Sequence, residues 1–152
     1  MSRNSKEGSL RNYLREALKK RINWIEPTRG SSVGVPDTTI DVGDVSIPVE
    51  LKFWEWRKKG LYHPMRPAQI RYHVMAHRAG KKTAILFATP DEHVGFHIYM
   101  LPNKYCPQDD YGLDTVKHNL FIIGTEKANK ELVGREIVRL LKSSNWWSGG
   151  VA

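Results

Sequence analysis

The chain has a single cysteine, Cys106, among its 152 residues. One thiol cannot close an internal disulfide, and a zinc site built from several cysteines is excluded for the same reason. Such sparing use of cysteine is typical of a reducing, intracellular environment. No apolar run approaches the roughly 20 residues of a membrane span, and the charged N-terminus lacks the apolar core of a signal peptide. We therefore expect an intracellular protein that makes no contact with a membrane.

Internal repeats and low-complexity tracts are also absent from the sequence. Hydrophobic residues make up 40% and charged residues 26%, which is typical of a globular chain rather than a disordered one. The length corresponds to one domain that can bury an ordinary core. We expect residues 1–152 to form a single domain, with residues 143–152 as a loosely ordered tail.

Negative charge is in short supply. The chain has 24 lysines and arginines against 16 aspartates and glutamates, which gives a formal net charge of +8. A surface this basic suits a polyanion, and nucleic acid is the commonest one. Charge alone does not separate a nucleic-acid-binding protein from a merely soluble basic one.

Hydrophobic periodicity and turn signals predict an α/β fold. Helices are expected over Glu7–Arg21, Pro67–Ala79 and Glu126–Lys142, and strands over Ile22–Ile25, Thr38–Val42, Val45–Phe53, Ala84–Ala88 and Val94–Met100, with Phe121–Ile123 as a further short candidate. The Gly43-Asp44 turn predicts a hairpin between the second and third strands. The order α-β-β-β-α-β-β-α favours a mixed central β-sheet flanked by helices.

Two carboxylates and a lysine are expected to meet at this hairpin. Asp37 precedes one strand, and Glu50-Leu-Lys52 begins thirteen positions later in the next. Side chains alternate along a strand, so Glu50 and Lys52 point to the same face. Carboxylate oxygens suit Mg²⁺ or Mn²⁺, and such an ion would activate water and neutralise charge developing on phosphorus. Taken alone, the pattern favours a cross-strand salt bridge on a solvated face over a metal site.

The residues Gly34-Val-Pro-Asp37, Glu50-Leu-Lys52 and Arg66-Pro-Ala-Gln69 resemble the motifs of the PD-(D/E)XK nuclease superfamily. Within it, the chain is most similar to the VRR-NUC and archaeal Holliday junction resolvase branches. The resemblance extends from about Glu7 to Phe87 and implies a restriction-endonuclease-like fold. The segment Trp54–Met65 departs from the family, because it is bulkier and more aromatic than the expected short spacer.

The resemblance also implies roles for individual residues. The catalytic residues would be Asp37, Glu50, Lys52 and Gln69. The metal ligands would be Asp37, Glu50, the Leu51 carbonyl and, about thirty positions before the motif on the first helix, Glu7. The loop at residues 29–33 matches a serine-containing loop near the resolvase active site, which makes Arg29, Ser31 and Ser32 candidate nucleic-acid contacts.

Some residues keep two interpretations. Glu16 rivals Glu7 on the first helix, although about two and a half turns separate them, so they face different directions. Trp54 and Trp56 either pack together on one strand face or contact unstacked bases at a branch point. Further nucleic-acid contacts are expected from Arg57, Lys58, Lys59 and Arg66. For His63, His73, His77 and Cys106, packing is favoured over metal binding or nucleophilic catalysis.

Together these observations predict a Mg²⁺- or Mn²⁺-dependent endonuclease that hydrolyses phosphodiester bonds in branched DNA, with Holliday junction resolution as the first choice. A nicking or flap-cutting nuclease and a non-enzymatic basic DNA-binding module are the alternatives. A junction has two equivalent strands, so we expect a homodimer. Its apolar interface candidates are Trp54, Trp56, Leu61 and Tyr62, or Trp146 and Trp147. By analogy, size suggests the cytoplasm of a prokaryote or of a phage-infected cell.

Overall fold

The computed structural model describes residues 3–25, 34–114, 117–118 and 120–149. Its helices are α1 (Arg3–Leu18), α2 (Pro67–Arg78), α3 (Lys130–Lys142) and α4 (Ser144–Trp147), with 3₁₀ turns at Lys19–Arg21 and Asn103–Tyr105. Its strands are β1 (Ile22–Trp24), β2 (Thr38–Val42), β3 (Val45–Phe53), β4 (Glu55–Arg57), β5 (Gly60–Tyr62), β6 (Ala84–Asp91), β7 (Gly95–Pro102) and β8 (Gly124–Thr125).

Six strands form one mixed sheet in the order β1-β2-β3-β6-β7-β8, while β4 and β5 form a separate hairpin. Neighbours in the large sheet are antiparallel except for β3 and β6, which are parallel and joined through the hairpin and α2. The α/β class and the mixed sheet flanked by helices are therefore confirmed. The predicted hairpin across Gly43-Asp44 is also present, with β2 antiparallel to β3.

Two hydrophobic clusters cover the two faces of the sheet. The first joins α1 and α3 to one face, where Leu14, Val49 and Ile137 are completely buried. The second lies on the other face, where Trp54 and Phe87 pack beneath α2 and the segment that follows β7. Because side chains alternate along β3, Val49 belongs to the first face and its neighbour Glu50 to the second.

The structure corrects the expected ends of several elements. α3 begins at Lys130 rather than Glu126, because the Asn129 side chain accepts a hydrogen bond from the Leu132 N–H and caps the helix there. The last strand is Gly124–Thr125, not Phe121–Ile123. α1 already begins at Arg3, four residues earlier than expected.

The expected loose tail contains the short helix α4. Trp146 is buried in the first cluster, and the Trp147 indole N–H donates to the Leu141 carbonyl at 2.8 Å. Two large aromatic side chains thus fix the end of α3 to the core. Residues 150–152 lie outside the described part of the chain.

The expected nucleic-acid contacts Arg57, Lys58 and Lys59 lie at the tip of the β4–β5 hairpin, with Lys58 and Lys59 in its turn. Trp54 and Trp56 do not share a face. Trp54 is 1% exposed and donates its indole N–H to the Pro64 carbonyl, whereas Trp56 is 52% exposed. The hairpin is therefore rooted in the second cluster and presents Trp56 to solvent.

Burial also changes the list of residues that could form a dimer interface. Trp54, Leu61 and Trp146 are core residues and offer no apolar surface to a partner. Trp56 is exposed, and Tyr62 and Trp147 are half-buried. Among the helices in the described ranges, none has the length and apolar character needed to cross a bilayer.

Candidate active site

Asp37 is held in place by the chain on both sides of it. Gly34 has φ +90°, and a Cβ atom there would lie 2.3 Å from the Ala68 carbonyl oxygen of α2. Only glycine allows both this backbone conformation and this close approach. On the other side, the Ile25 N–H donates to the Asp37 carbonyl at 2.7 Å. The Gly34-Val-Pro36 segment thus fixes the backbone immediately before Asp37.

The β2–β3 register directs Asp37 toward Glu50. Thr39 pairs with Pro48, and continuing this antiparallel register by two residues sets Asp37 opposite Glu50. Residues opposite each other in a sheet share a face. On the far side of β3, Glu50 and Lys52 pair with Ile85 and Phe87, whose side chains belong to the second cluster.

Glu50 is a buried carboxyl with an unusual pKa. It is 6% exposed, and burial raises its pKa from 4.5 to about 7. The nearby Lys52 and Arg11 oppose this shift, whereas Asp37 and Glu7 add to it. Its Oε1 atom is buried and has no hydrogen-bond partner among the described residues. Ionised Glu50 is therefore under-compensated, and a further cation beside it would stabilise the charged form.

Asp37 already has a cationic partner in this structure, the Arg11 guanidinium of α1. The Thr38 hydroxyl donates to Asp37 Oδ1 at 3.2 Å. Arg11 is itself packed over the Trp24 ring, with its Cζ atom 5.0 Å from the ring centroid. Sequence reasoning did not assign Arg11 to the site. Its position one turn after Glu7 on α1 is the signal that could have done so.

The structure separates the two rival acids of α1. Glu7 acts electrostatically on Glu50. Glu16 forms an ion pair with Lys130 of α3 and is not among the groups that shift Glu50. Of the two, Glu7 is the one that lies on the side of the carboxylates.

The direction of the Leu51 carbonyl follows from the pairing of β3. The Trp54 N–H donates to the Ala88 carbonyl of β6 at 2.9 Å. The backbone N–H and C=O groups of successive residues point alternately toward the two neighbouring strands. In β3, those of the even-numbered residues point toward β6, and those of Leu51 point toward the opposite side. On that side, pairing with β2 ends at Pro48. The Leu51 carbonyl thus faces the edge at which Asp37 approaches.

The histidines and the cysteine have structural surroundings. His63 accepts a hydrogen bond from the Leu113 N–H at 3.0 Å. His73 Nδ1 lies 2.8 Å from the Thr83 hydroxyl, and burial, followed by the nearby charge of Lys52, lowers its pKa to about 4. Burial raises the pKa of the Cys106 thiol to about 12. His73 and Cys106 therefore stay uncharged at neutral pH.

Among the residues that the structure describes, no group of three or more His, Cys, Asp and Glu side chains is arranged to hold a metal ion. The donors that fit a hard divalent cation here are of mixed origin: the carboxylates of Asp37 and Glu50 and the backbone carbonyl of Leu51. The unpartnered, buried Oε1 of Glu50 is the observation that supports this fit. All are oxygen donors, as Mg²⁺ and Mn²⁺ prefer.

The remaining site predictions have different outcomes. Gln69 Oε1 accepts from the Arg66 N–H at 3.1 Å and caps α2, which gives it a structural role beside the predicted catalytic one. Arg57 pairs with Glu55 and lies over the Tyr62 ring, 3.7 Å from its centroid. The predicted contacts Arg29, Ser31 and Ser32 lie outside the described residues.

No protein-family model matches this chain, and neither the curated proteins nor the solved structures include one that matches it significantly.

Proposed function

We propose that this protein is a metal-dependent endodeoxyribonuclease of the PD-(D/E)XK type whose catalytic centre is formed by Asp37, Glu50 and Lys52. The observation that carries the proposal is the buried Glu50 carboxyl, with its pKa raised to about 7 and its Oε1 atom unpartnered within the described chain. A buried acid opposite a second carboxylate is costly for stability alone. It is useful where a cation completes the site.

Asp37, Glu50 and the Leu51 carbonyl would hold Mg²⁺ or Mn²⁺, with Glu7 as a second or water-mediated ligand. A bound divalent cation supplies Lewis-acid chemistry to a phosphodiester. Lys52 follows Glu50 on the same face of β3, so its ammonium group is suited to orient water and to stabilise charge that develops on the phosphate oxygens. Gln69, at the start of α2, is proposed to assist at the same face.

The surroundings of the centre suit a nucleic-acid substrate. A groove of about 950 Å³ runs along α2, and Tyr72 and Arg71 line it. Asp37, Glu50 and Lys52 are not among its lining residues, but burial and then the nearby charge of Glu50 raise the pKa of Tyr72, which connects the groove to the centre. The β4–β5 hairpin adds exposed Trp56 and the basic residues Lys58 and Lys59. We propose branched DNA as the substrate, with Holliday junction resolution by a homodimer as the first choice and nicking or flap cutting as the alternative.

Cleavage assays with point variants test the assignment. Four-way junction, flap and linear duplex DNA are incubated with the purified protein in Mg²⁺, Mn²⁺ or EDTA. Asp37→Asn, Glu50→Gln and Lys52→Ala should each reduce cleavage about a hundredfold or more, while binding in EDTA persists. Asp44→Asn removes the same charge from the exposed β2–β3 turn and should cleave normally.

The outcomes separate the alternatives. Full cleavage by Asp37→Asn or Glu50→Gln would refute the nuclease centre, and binding without cleavage by the unaltered protein would favour a DNA-binding module. A cruciform plasmid distinguishes the substrates, because paired cuts give linear product whereas a nicking enzyme gives only open circles.

A further inference from the structure

A second concave surface lies between the end of α1 and the outer side of α3. It is an open groove of about 700 Å³, with Ala17, Leu18 and Val138 on its floor. The two helices approach closely here, since a Cβ atom on Gly134 would lie 2.2 Å from the Ala17 carbonyl oxygen. The walls of the groove are therefore fixed relative to each other.

The groove is strongly basic. Six of its lining residues are cations and one, Glu131, is an acid; the cations are Lys19, Lys20, Arg21, Arg135, Arg139 and Lys142. Lys19 lies 3.8 Å from Glu131, and Arg139 is paired with Glu136. The other four have no carboxylate within ion-pair distance among the described residues. Much of the net charge of +8 is thus concentrated on one surface.

Favourable interactions with the helix dipoles explain only some of the six cations that line the groove. Cations in the last turn of α1 or α3 interact favourably with the helix C-terminus. Arg135, however, lies in the first half of α3. Lys19 has φ +52°, the only positive value at a non-glycine residue in the described ranges, and this conformation is unfavourable for a side chain with a Cβ. The chain thus accepts a strained residue at the turn that places the three consecutive cations Lys19–Arg21.

The dimensions of the groove fit a phosphodiester backbone. Its α3 wall extends from Glu131 to Lys142, which is about 16 Å at about 1.5 Å per residue. Successive phosphates of one strand advance about 3.4 Å along the duplex axis and wind around it, so the wall faces a short run of phosphates at a time. None of the described residues that line the groove is aromatic. Base stacking, which sustains single-strand binding, is thus not provided for here.

We propose that this groove binds the backbone of duplex nucleic acid without regard to base sequence, as a contact separate from the candidate active site. α1 and α3 cover the opposite face of the sheet from Glu50 and α2. Glu7, the acid of α1 that acts electrostatically on Glu50, lies near the start of this helix, whereas the groove lies at its end. The proposal does not depend on the nuclease assignment, because it requires binding and no reaction.

Salt-dependent binding to a fluorescent duplex of about 20 base pairs in EDTA tests the groove. Each phosphate contact contributes about 0.9 to the slope of log K against log salt. The double variant Lys20→Gln/Arg135→Gln should lower that slope by about 1.8. Between about 50 and 200 mM salt, the factor by which affinity falls should then be about twelve times smaller for the variant than for the unaltered protein. Lys117→Gln/Lys127→Gln removes the same charge from exposed residues outside the groove and should leave the slope unchanged.

Acetylation footprinting of the unaltered protein gives a second readout that needs no variant. Duplex DNA should protect Lys20 and Lys142 from acetylation but leave Lys127 reactive. Equal slopes for the two double variants, or reactive groove lysines in the complex, would overturn the proposal. The proposal would also be overturned if the groove variant lost binding to anionic lipid vesicles but bound the duplex as the unaltered protein does. If the groove variant weakens duplex binding but the unaltered protein never cleaves DNA, the groove proposal stands and only the nuclease function is refuted.

Discussion

The two faces of the six-stranded sheet are covered in different ways. On the face packed by α1 and α3, the buried side chains are almost entirely apolar, and Leu14, Ile137 and Leu140 are completely buried. On the face packed by α2, the buried set includes Glu50 and His73, each with a side-chain atom that lacks a hydrogen-bond partner in the described chain. The first face is packed mainly through apolar contacts, although the buried Tyr13 hydroxyl there also lacks a partner among the described residues, whereas the second face buries titratable side chains where the chemistry is proposed.

This difference explains how one strand can serve both purposes. β3 lies in the centre of the sheet and alternates Val49 toward the first face with Glu50 toward the second. Val49 anchors the strand in the apolar core, so its neighbour Glu50 is held in a place where water is excluded. A rigid strand positions a charged group more accurately than a loop would.

The largest effect on stability is expected from the first face. Leu14→Ala deletes a completely buried side chain between α1 and the sheet and should lower the free energy of unfolding by about 2–5 kcal/mol. Denaturant unfolding measures the loss. Leu132→Ala, at a leucine of α3 that is 60% exposed, is the matched control and should change the value by less than about 0.5 kcal/mol. A similar loss in both variants would contradict the division between buried and exposed faces of these helices.

The second face should respond through pH. Folded Glu50 keeps its proton up to about pH 7, while the unfolded chain releases it near pH 4.5. The folded state therefore binds more protons in this window, and without metal its stability should fall as pH rises through it. Glu50→Gln removes this titration. The stability of the variant relative to the unaltered protein should rise by about 3 kcal/mol between about pH 4.5 and 8.

Unfolding in EDTA across this pH range measures the effect. Leu14→Ala should shift the whole profile down without changing its slope, because the deleted side chain does not titrate. Parallel profiles for Glu50→Gln and the unaltered protein would show that Glu50 ionises normally.

Much of the architecture could be predicted because local signals and tertiary packing agree there. The bounds of β2 and β3 follow from the turn at Gly43-Asp44, and α2 is framed by Pro67 and Gly80, whose φ is +74°. Local sequence signals did not predict the elements whose structure depends on tertiary packing. The β4–β5 hairpin has a lysine pair in its turn instead of a typical turn sequence, and α4 is held by Trp146 in the core.

The site was predictable only in outline. Residue types and spacing indicated Asp37, Glu50 and Lys52, and strand alternation gave their common face. The sequence could not show that Arg11 pairs with Asp37, because the ion pair spans 26 residues and depends on how α1 packs against the sheet. It also could not show that Trp54 is buried while Trp56 is exposed, since the β4–β5 hairpin that begins between them was not recognised.

The smallest expected effect concerns Arg11, which joins the two faces because it lies on α1 and neutralises Asp37. A metal cation would have to compete with this guanidinium for the Asp37 carboxylate. Both side chains are about 40% exposed, so the ion pair is worth at most about 1 kcal/mol. Arg11→Gln should therefore tighten Mn²⁺ binding by about two- to fivefold in calorimetry. Arg15→Gln is the matched control, because Arg15 lies over the same Trp24 ring at 5.1 Å and is not the guanidinium paired with Asp37. Equal tightening in both variants would reduce the effect to net charge, and weaker Mn²⁺ binding in Arg11→Gln would mean that Arg11 holds Asp37 in position instead of competing for it.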